Sequence, residues 1–151
     1  MSRTCLLLAG VMLVAAGVAS AQPSLGKPFD LKVGESVVFE PGGLAVGFDR
    51  IIGDSRCPID MYCFWPGDAA GLLWTYLPSE EKTAFDLHTY RDFRWKFKYD
   101  RYEITLVAVA PYPRADVPIP PEEYVVSVVV DAAAPVEPST WGRIKALYAV
   151  P

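Results

Sequence analysis

Phe93-Arg94-Trp95-Lys96-Phe97-Lys98-Tyr99 alternates aromatic and basic residues without a break. In an extended chain successive side chains point to opposite sides, so such a segment has one aromatic face and one basic face. A helix would scatter both sets around its circumference. The pattern therefore predicts a strand over residues 93–99. The segment from Tyr102 to Ala110 follows suit, with Ile104, Leu106 and Ala108 on one face and Glu103 and Thr105 on the other. Asp100-Arg101 between them has the length of a tight hairpin turn, although it lacks the favoured glycine.

The rest of the chain reads in the same short units. Strands are expected from Ser36 to Phe39, from Leu44 to Ile52 after the Pro41-Gly42-Gly43 turn, from Ala69 to Leu77, and from Ala84 to Tyr90. Tyr124 to Val130 is almost wholly β-branched and predicts a central strand covered on both faces. No long stretch shows helical spacing of apolar residues. All 14 prolines fall after residue 21 and cut the chain into short pieces. Five of them lie in the eleven residues from Pro111 to Pro121, which cannot donate a full ladder of hydrogen bonds. That stretch is expected to be an extended Greek-key crossover joining two non-adjacent strands. Ala132 to Pro138 reads as a second connector. Ser139 to Val150 reads as a short helix or a final strand.

About seven short strands with long proline-rich connections predict an all-β fold, a single antiparallel β-sandwich of Greek-key, immunoglobulin-like architecture or a small barrel. The immunoglobulin comparison is architectural only, because both mature cysteines sit in one loop. The chain has 151 residues, 52% of them hydrophobic, 21% charged, and a net charge of −4. That length suits one domain. The apolar content, with 19 aromatics, excludes a disordered chain. The acidic balance excludes a generally basic nucleic-acid binder.

Fifteen of the first 21 residues are hydrophobic. Arg3, the apolar run from Leu6 to Val18 and the small residues Ala19-Ser20-Ala21 form the three parts of a secretory signal peptide. The run falls short of the ~20 residues that a membrane-spanning helix needs. The expectation is a signal peptide over residues 1–21 and a mature β-rich domain over 22–151, without a transmembrane segment and placed in the periplasm or outside the cell. Cys5 leaves with the signal. Cys57 and Cys63 remain, and an even pair in an exported chain predicts a disulfide. So short a ring contributes about 2–2.5 kcal/mol in the chain-entropy account. It pins one loop rather than two sheets.

The same loop carries the densest motif, Asp54-Ser55-Arg56-Cys57-Pro58-Ile59-Asp60-Met61-Tyr62-Cys63-Phe64-Trp65-Pro66-Gly67-Asp68-Ala69. It resembles the D-S-R-C-P-x-x-x-x-C-x-W-x-G-[ND]-A signature of a family of small exported bacterial proteins. The resemblance extends through the Tyr102–Pro113 segment, Ile119-Pro120-Pro121 and the Tyr124 strand, roughly from Leu44 to Val130. It implies export and a shared scaffold in which the disulfide and the Trp65–Ala69 corner are structural. It carries no mechanism. Read from the residues alone, Pro58 holds Cys57 extended, Trp65 is placed to pack over the bridge, Gly67 turns the chain, and Arg56 has Asp54, Asp60 and Asp68 within reach.

Four patterns invite sharper readings. Asp49, Asp54, Asp60 and Asp68 resemble a cation cluster in composition, but their spacing fits no calcium loop and Arg50 and Arg56 offset their charge. They read as turn and salt-bridge residues, so no metal and no cofactor is expected. Arg94, Lys96 and Lys98, flanked by Arg91 and Arg101, form a basic stripe suited to an anionic envelope component or an acidic protein, or a solvated face that discourages edge pairing. Trp65, Trp74, Trp95 and Trp141 offer stacking surfaces, or simply core. Asp86 and His88 share a strand face and are expected to pair, raising the proton affinity of the histidine. No second catalytic group accompanies them. The functional expectation is thus a non-catalytic binding or structural domain of the cell envelope, with Arg94, Lys96, Lys98 and Trp65 as candidate binding residues. The alternatives are an inhibitor or interaction module using the 57–63 loop, and a hydrolase using His88.

Overall fold

The structure is a computed structural model, and it describes residues 23–132. The signal segment, the 133–138 part of the second connector, the helix or strand after Ser139, and Trp141 lie outside the described residues.

Eight strands form two antiparallel four-stranded sheets. They are β1 (Phe29–Lys32), β2 (Ser36–Phe39), β3 (Leu44–Asp54), β4 (Ala69–Tyr76), β5 (Thr83–His88), β6 (Lys96–Tyr99), β7 (Tyr102–Ala110) and β8 (Val125–Ala132). One sheet has the order β1-β8-β7-β6 and the other β2-β3-β4-β5. The alternation read from the sequence builds the layer between them, except at Ala108, which a register shift in β7 leaves exposed while Val109 takes the buried place. Leu44, Val46 and Phe48 of β3 and Leu73 of β4 are buried, as are Ile104 and Leu106 of β7 and Val126, Val128 and Val130 of β8, in one core. Thr75 lies wholly inside and is satisfied because its hydroxyl donates to the Ala45 carbonyl at 2.8 Å. The protein is an all-β sandwich. Among the described residues no helix is long and apolar enough to cross a membrane.

Three expectations are corrected. Residues 111–124 do not cross over. They join β7 to its hydrogen-bonded neighbour β8, with the ladder resuming at Ala110 opposite Val125. Proline density predicts where a ladder is interrupted, and it carries no information on which strand the chain rejoins. Both sheets accordingly follow meander order, with β1 added beside β8, and the Greek-key connection is absent from the described strands. β8 is central, yet Val125, Ser127 and Val129 on its outer side are only half-buried, because each sheet of a two-layer sandwich has a single inner face. The strand expected over 93–99 begins only at Lys96. Phe97 and Tyr99 pack against the core and Lys98 points to solvent, but Phe93 lies in a turn whose amide donates to the Tyr90 carbonyl at 3.1 Å. β1 escaped the sequence reading altogether.

Candidate functional site

The 55–68 connection between β3 and β4 prolongs their ladder and then swells into the disulfide loop. Ser55 N donates to the Asp68 carbonyl at 2.7 Å and Cys57 N to that of Pro66 at 2.9 Å. Cys57 and Cys63 are bonded, with Cα atoms 5.9 Å apart. Met61 N donates to the Pro58 carbonyl inside the ring, and Ile59 N reaches the Pro113 carbonyl of the β7–β8 loop, each at 3.0 Å. Asp60 answers that contact by accepting from Ala115 N at 2.8 Å. Gly67 has φ 76°, and a Cβ there would lie 1.9 Å from the Ser55 carbonyl oxygen. Only glycine allows this approach of the two arms.

Arg56 locks the base of the loop to the other sheet. Its side chain is buried, and it grips Asp54 with two nitrogens, Nε to Oδ1 at 2.9 Å and Nη2 to Oδ2 at 2.6 Å. Nη1 donates to the Val109 carbonyl, and Nη2 also reaches that of Pro111 at 2.9 Å. The Tyr124 hydroxyl completes the cluster, donating to Asp54 at 3.1 Å. Burial pushes the Asp54 carboxyl up, but the bonds and charge of Arg56 outweigh it and hold the group below its ordinary value. Of the three aspartates within reach in the sequence, Arg56 takes Asp54.

With its polar groups turned inward, the loop shows apolar side chains to solvent. Tyr62 and Phe64 are fully exposed, Ile59 and Met61 are more than half exposed, and Trp65 and Tyr112 are about half exposed. Those six line a shallow concavity of about 480 Å³ together with Cys57 and Cys63. The Trp65 ring meets Tyr90 edge-on at 5.6 Å, and Tyr90 meets Phe93 at 5.4 Å. Free-standing aromatic side chains on a cross-linked turn are the least expected feature of a molecule with ample core to receive them.

His88, at the end of β5, bridges two carboxylates. Nδ1 lies 2.6 Å from Asp68 and Nε2 lies 3.0 Å from Asp86, which also holds Arg94 at 3.1 Å. Asp68 further accepts from Thr89 Oγ1 and Tyr90 N, at 3.1 and 2.9 Å. Burial pulls the imidazole down, but hydrogen bonds and charge from Asp68 and Asp86 outweigh it and raise its proton affinity. Both aspartates are held below their ordinary value, burial being outweighed by the histidine bonds and the remaining donors. The pairing of Asp86 with His88 was legible in the sequence. The part of Asp68, in the connection just before β4, was not. With both nitrogens engaged, the imidazole in its protonated form donates to a carboxylate on either side and clasps Asp68, just before β4, to Asp86 of β5.

The candidate binding residues are dispersed. Arg94 pairs with Asp86, and Lys96 pairs with Glu103 at 2.5 Å while lying over the Trp95 ring. Lys98 faces Glu103 across the β6–β7 ladder. Trp65 stands apart from this stripe in the aromatic cluster, where its ring meets that of Tyr90. Trp74 stacks on Tyr76 beneath Lys82, and Trp95 lies under Arg91, so the described tryptophans form no single platform. Asp49 pairs with Arg50, so Asp49 and Asp54 of β3 and Asp60 and Asp68 of the loop each have a separate partner. Among the described residues no three His, Cys, Asp or Glu side chains are placed to hold an ion. The chain matches no family model, no curated protein and no solved structure.

Proposed function

We propose that this is an exported, non-catalytic binding domain of the cell envelope that docks a partner protein through the loop closed by Cys57 and Cys63. The observation that carries the reading is the full exposure of Tyr62 and Phe64 on a cross-linked, hydrogen-bonded turn. A turn that is already ordered loses little entropy on binding. Aromatic residues and methionine are the side chains enriched at protein–protein interfaces. The signal-like leader and the resemblance of residues 54–69 to exported bacterial proteins support the location.

A protein is preferred to an anionic polymer because Arg94 and Lys96 are committed to Asp86 and Glu103. It is preferred to a bilayer because Asp60 sits exposed within the loop and Arg56, the loop's one cation, is buried against Asp54. Loops that enter membranes carry basic flanks instead. The hydrolase reading is weakened by the engagement of both His88 nitrogens.

The test compares the mature chain with a Tyr62→Ser/Phe64→Ser variant of equal melting temperature, immobilised against envelope proteins and against phosphatidylglycerol vesicles. The expected result is a protein retained in fixed stoichiometry by the mature chain and about 30-fold more weakly by the variant, the loss of a hot-spot pair. Equal retention by the variant, or capture of vesicles in place of protein, would overturn the proposal.

A further inference from the structure

On the other side of Tyr112 from the exposed loop lies a second concavity, of about 390 Å³. Its origin is local. The β7–β8 register slips between Leu106 and Ala108, and this bulge leaves Val107 half-exposed on the outer side. A bulge bends its strand and re-aims the side chains around it. The bent segment of β7 forms one wall, with Val107 and Val109, and Tyr90 and Tyr112 supply others. Arg56 and Arg91 are the charged groups among its lining residues, and neither Asp nor Glu is among them. The charge of Arg56 is already met by Asp54. Arg91 has no ion pair among the described residues and rests over the Trp95 ring at 4.3 Å. The cleft thus combines apolar and aromatic walls, one guanidinium without an ion pair among the described residues, and a volume within the range of small-molecule sites; the nearby Asp92 carboxylate is engaged with Tyr90.

We propose that this cleft is a binding site for an amphipathic organic anion, a carboxylate or sulfonate on an aromatic or aliphatic body. The acid group lies at Arg91, where a guanidinium offers two parallel donors, and the body lies between Tyr90, Tyr112 and Val107. The site touches the base of the docking loop at Arg56, Pro66 and Gly67 and not its exposed tip. Pro66 and Tyr112 border both concavities, but the exposed side chains of Tyr62 and Phe64 line only the first.

The probe is 8-anilinonaphthalene-1-sulfonate, titrated by fluorescence into the mature chain. Saturable one-to-one binding is expected, displaced by decanoate and not by decanol. Arg91→Ala weakens it about ten-fold, as expected for a lost charge-assisted bond. Val107→Glu abolishes it, and Tyr62→Ser/Phe64→Ser leaves it unchanged. In the unsubstituted protein, probe-induced NMR shifts fall on Tyr90, Arg91, Val107 and Val109, a readout independent of how the variants fold. Shifts centred on Tyr62 and Phe64, unsaturable binding, equal displacement by decanol, or unaltered affinity in the Arg91→Ala and Val107→Glu variants would each overturn the proposal. The Tyr62→Ser/Phe64→Ser variant separates this outcome from failure of the docking reading.

Discussion

Truncating Arg56 would leave Asp54 buried without its cation and free two main-chain carbonyls of their donor. Arg56→Ala should therefore lower unfolding free energy by about 3–5 kcal/mol, as measured by urea titration. Arg56→Lys should recover only part of that, since a single ammonium cannot reproduce a fork serving Asp54, Val109 and Pro111 together. Gly67→Ala, at φ 76° and against the Ser55 carbonyl, should cost more than about 1 kcal/mol in the same assay. At this scale the sequence was partly readable. The turn at Gly67 and the acidic company of Arg56 follow from composition. The choice of Asp54 and the engagement of the 109 and 111 carbonyls depend on where the other sheet lies, which nothing near residue 56 encodes.

Between strands, the clasp on His88 joins β5 to Asp68, the residue just before β4, and its energy depends on pH. The histidine is raised, so its contribution is whole below the unfolded value near 6.5 and fades as pH climbs through the folded one. Asp68 and Asp86 are lowered, so theirs is whole above about 3.9 and fades as pH falls through their folded values. Full stabilisation is thus confined to roughly pH 4 to 6.5. Urea unfolding should show the protein losing more stability between pH 6 and pH 9 than a His88→Gln variant does. The His88 Cε1 resonance should titrate above 6.5, and a midpoint at or below that value would contradict the clasp. Strand boundaries were most legible where alternation and turn residues agreed, as at Ser36–Phe39 and Tyr102–Ala110. β1 went unseen because Phe-Asp-Leu-Lys holds just two apolar residues, and its pairing partner lies at the far end of the described chain. In the 93–99 segment, alternation persists only where a ladder to β7 fixes the pleat.

For the molecule as a whole, the disulfide is peripheral to the core. Replacing Cys57 and Cys63 by serine should lower stability by about 2 kcal/mol and leave the far-ultraviolet circular dichroism of the sandwich intact. The same variant should lose more affinity for the docked protein than stability alone explains, because the turn must then be ordered on binding. Sheet class was legible from periodicity. Strand order was not, since it is set by which edges meet after the chain collapses. That order bears on how the protein is made. Strands β3 to β5 each lie beside their predecessor and can zip up as they emerge, whereas among the described strands β1 bonds only to β8. Phe29–Lys32 emerges early and must wait, without its ladder, until the last described strand has appeared. Closing so wide a loop is slow. The first strand to be synthesised is thus among the last to find its place, and a nascent chain halted before Val125 has no seat for it.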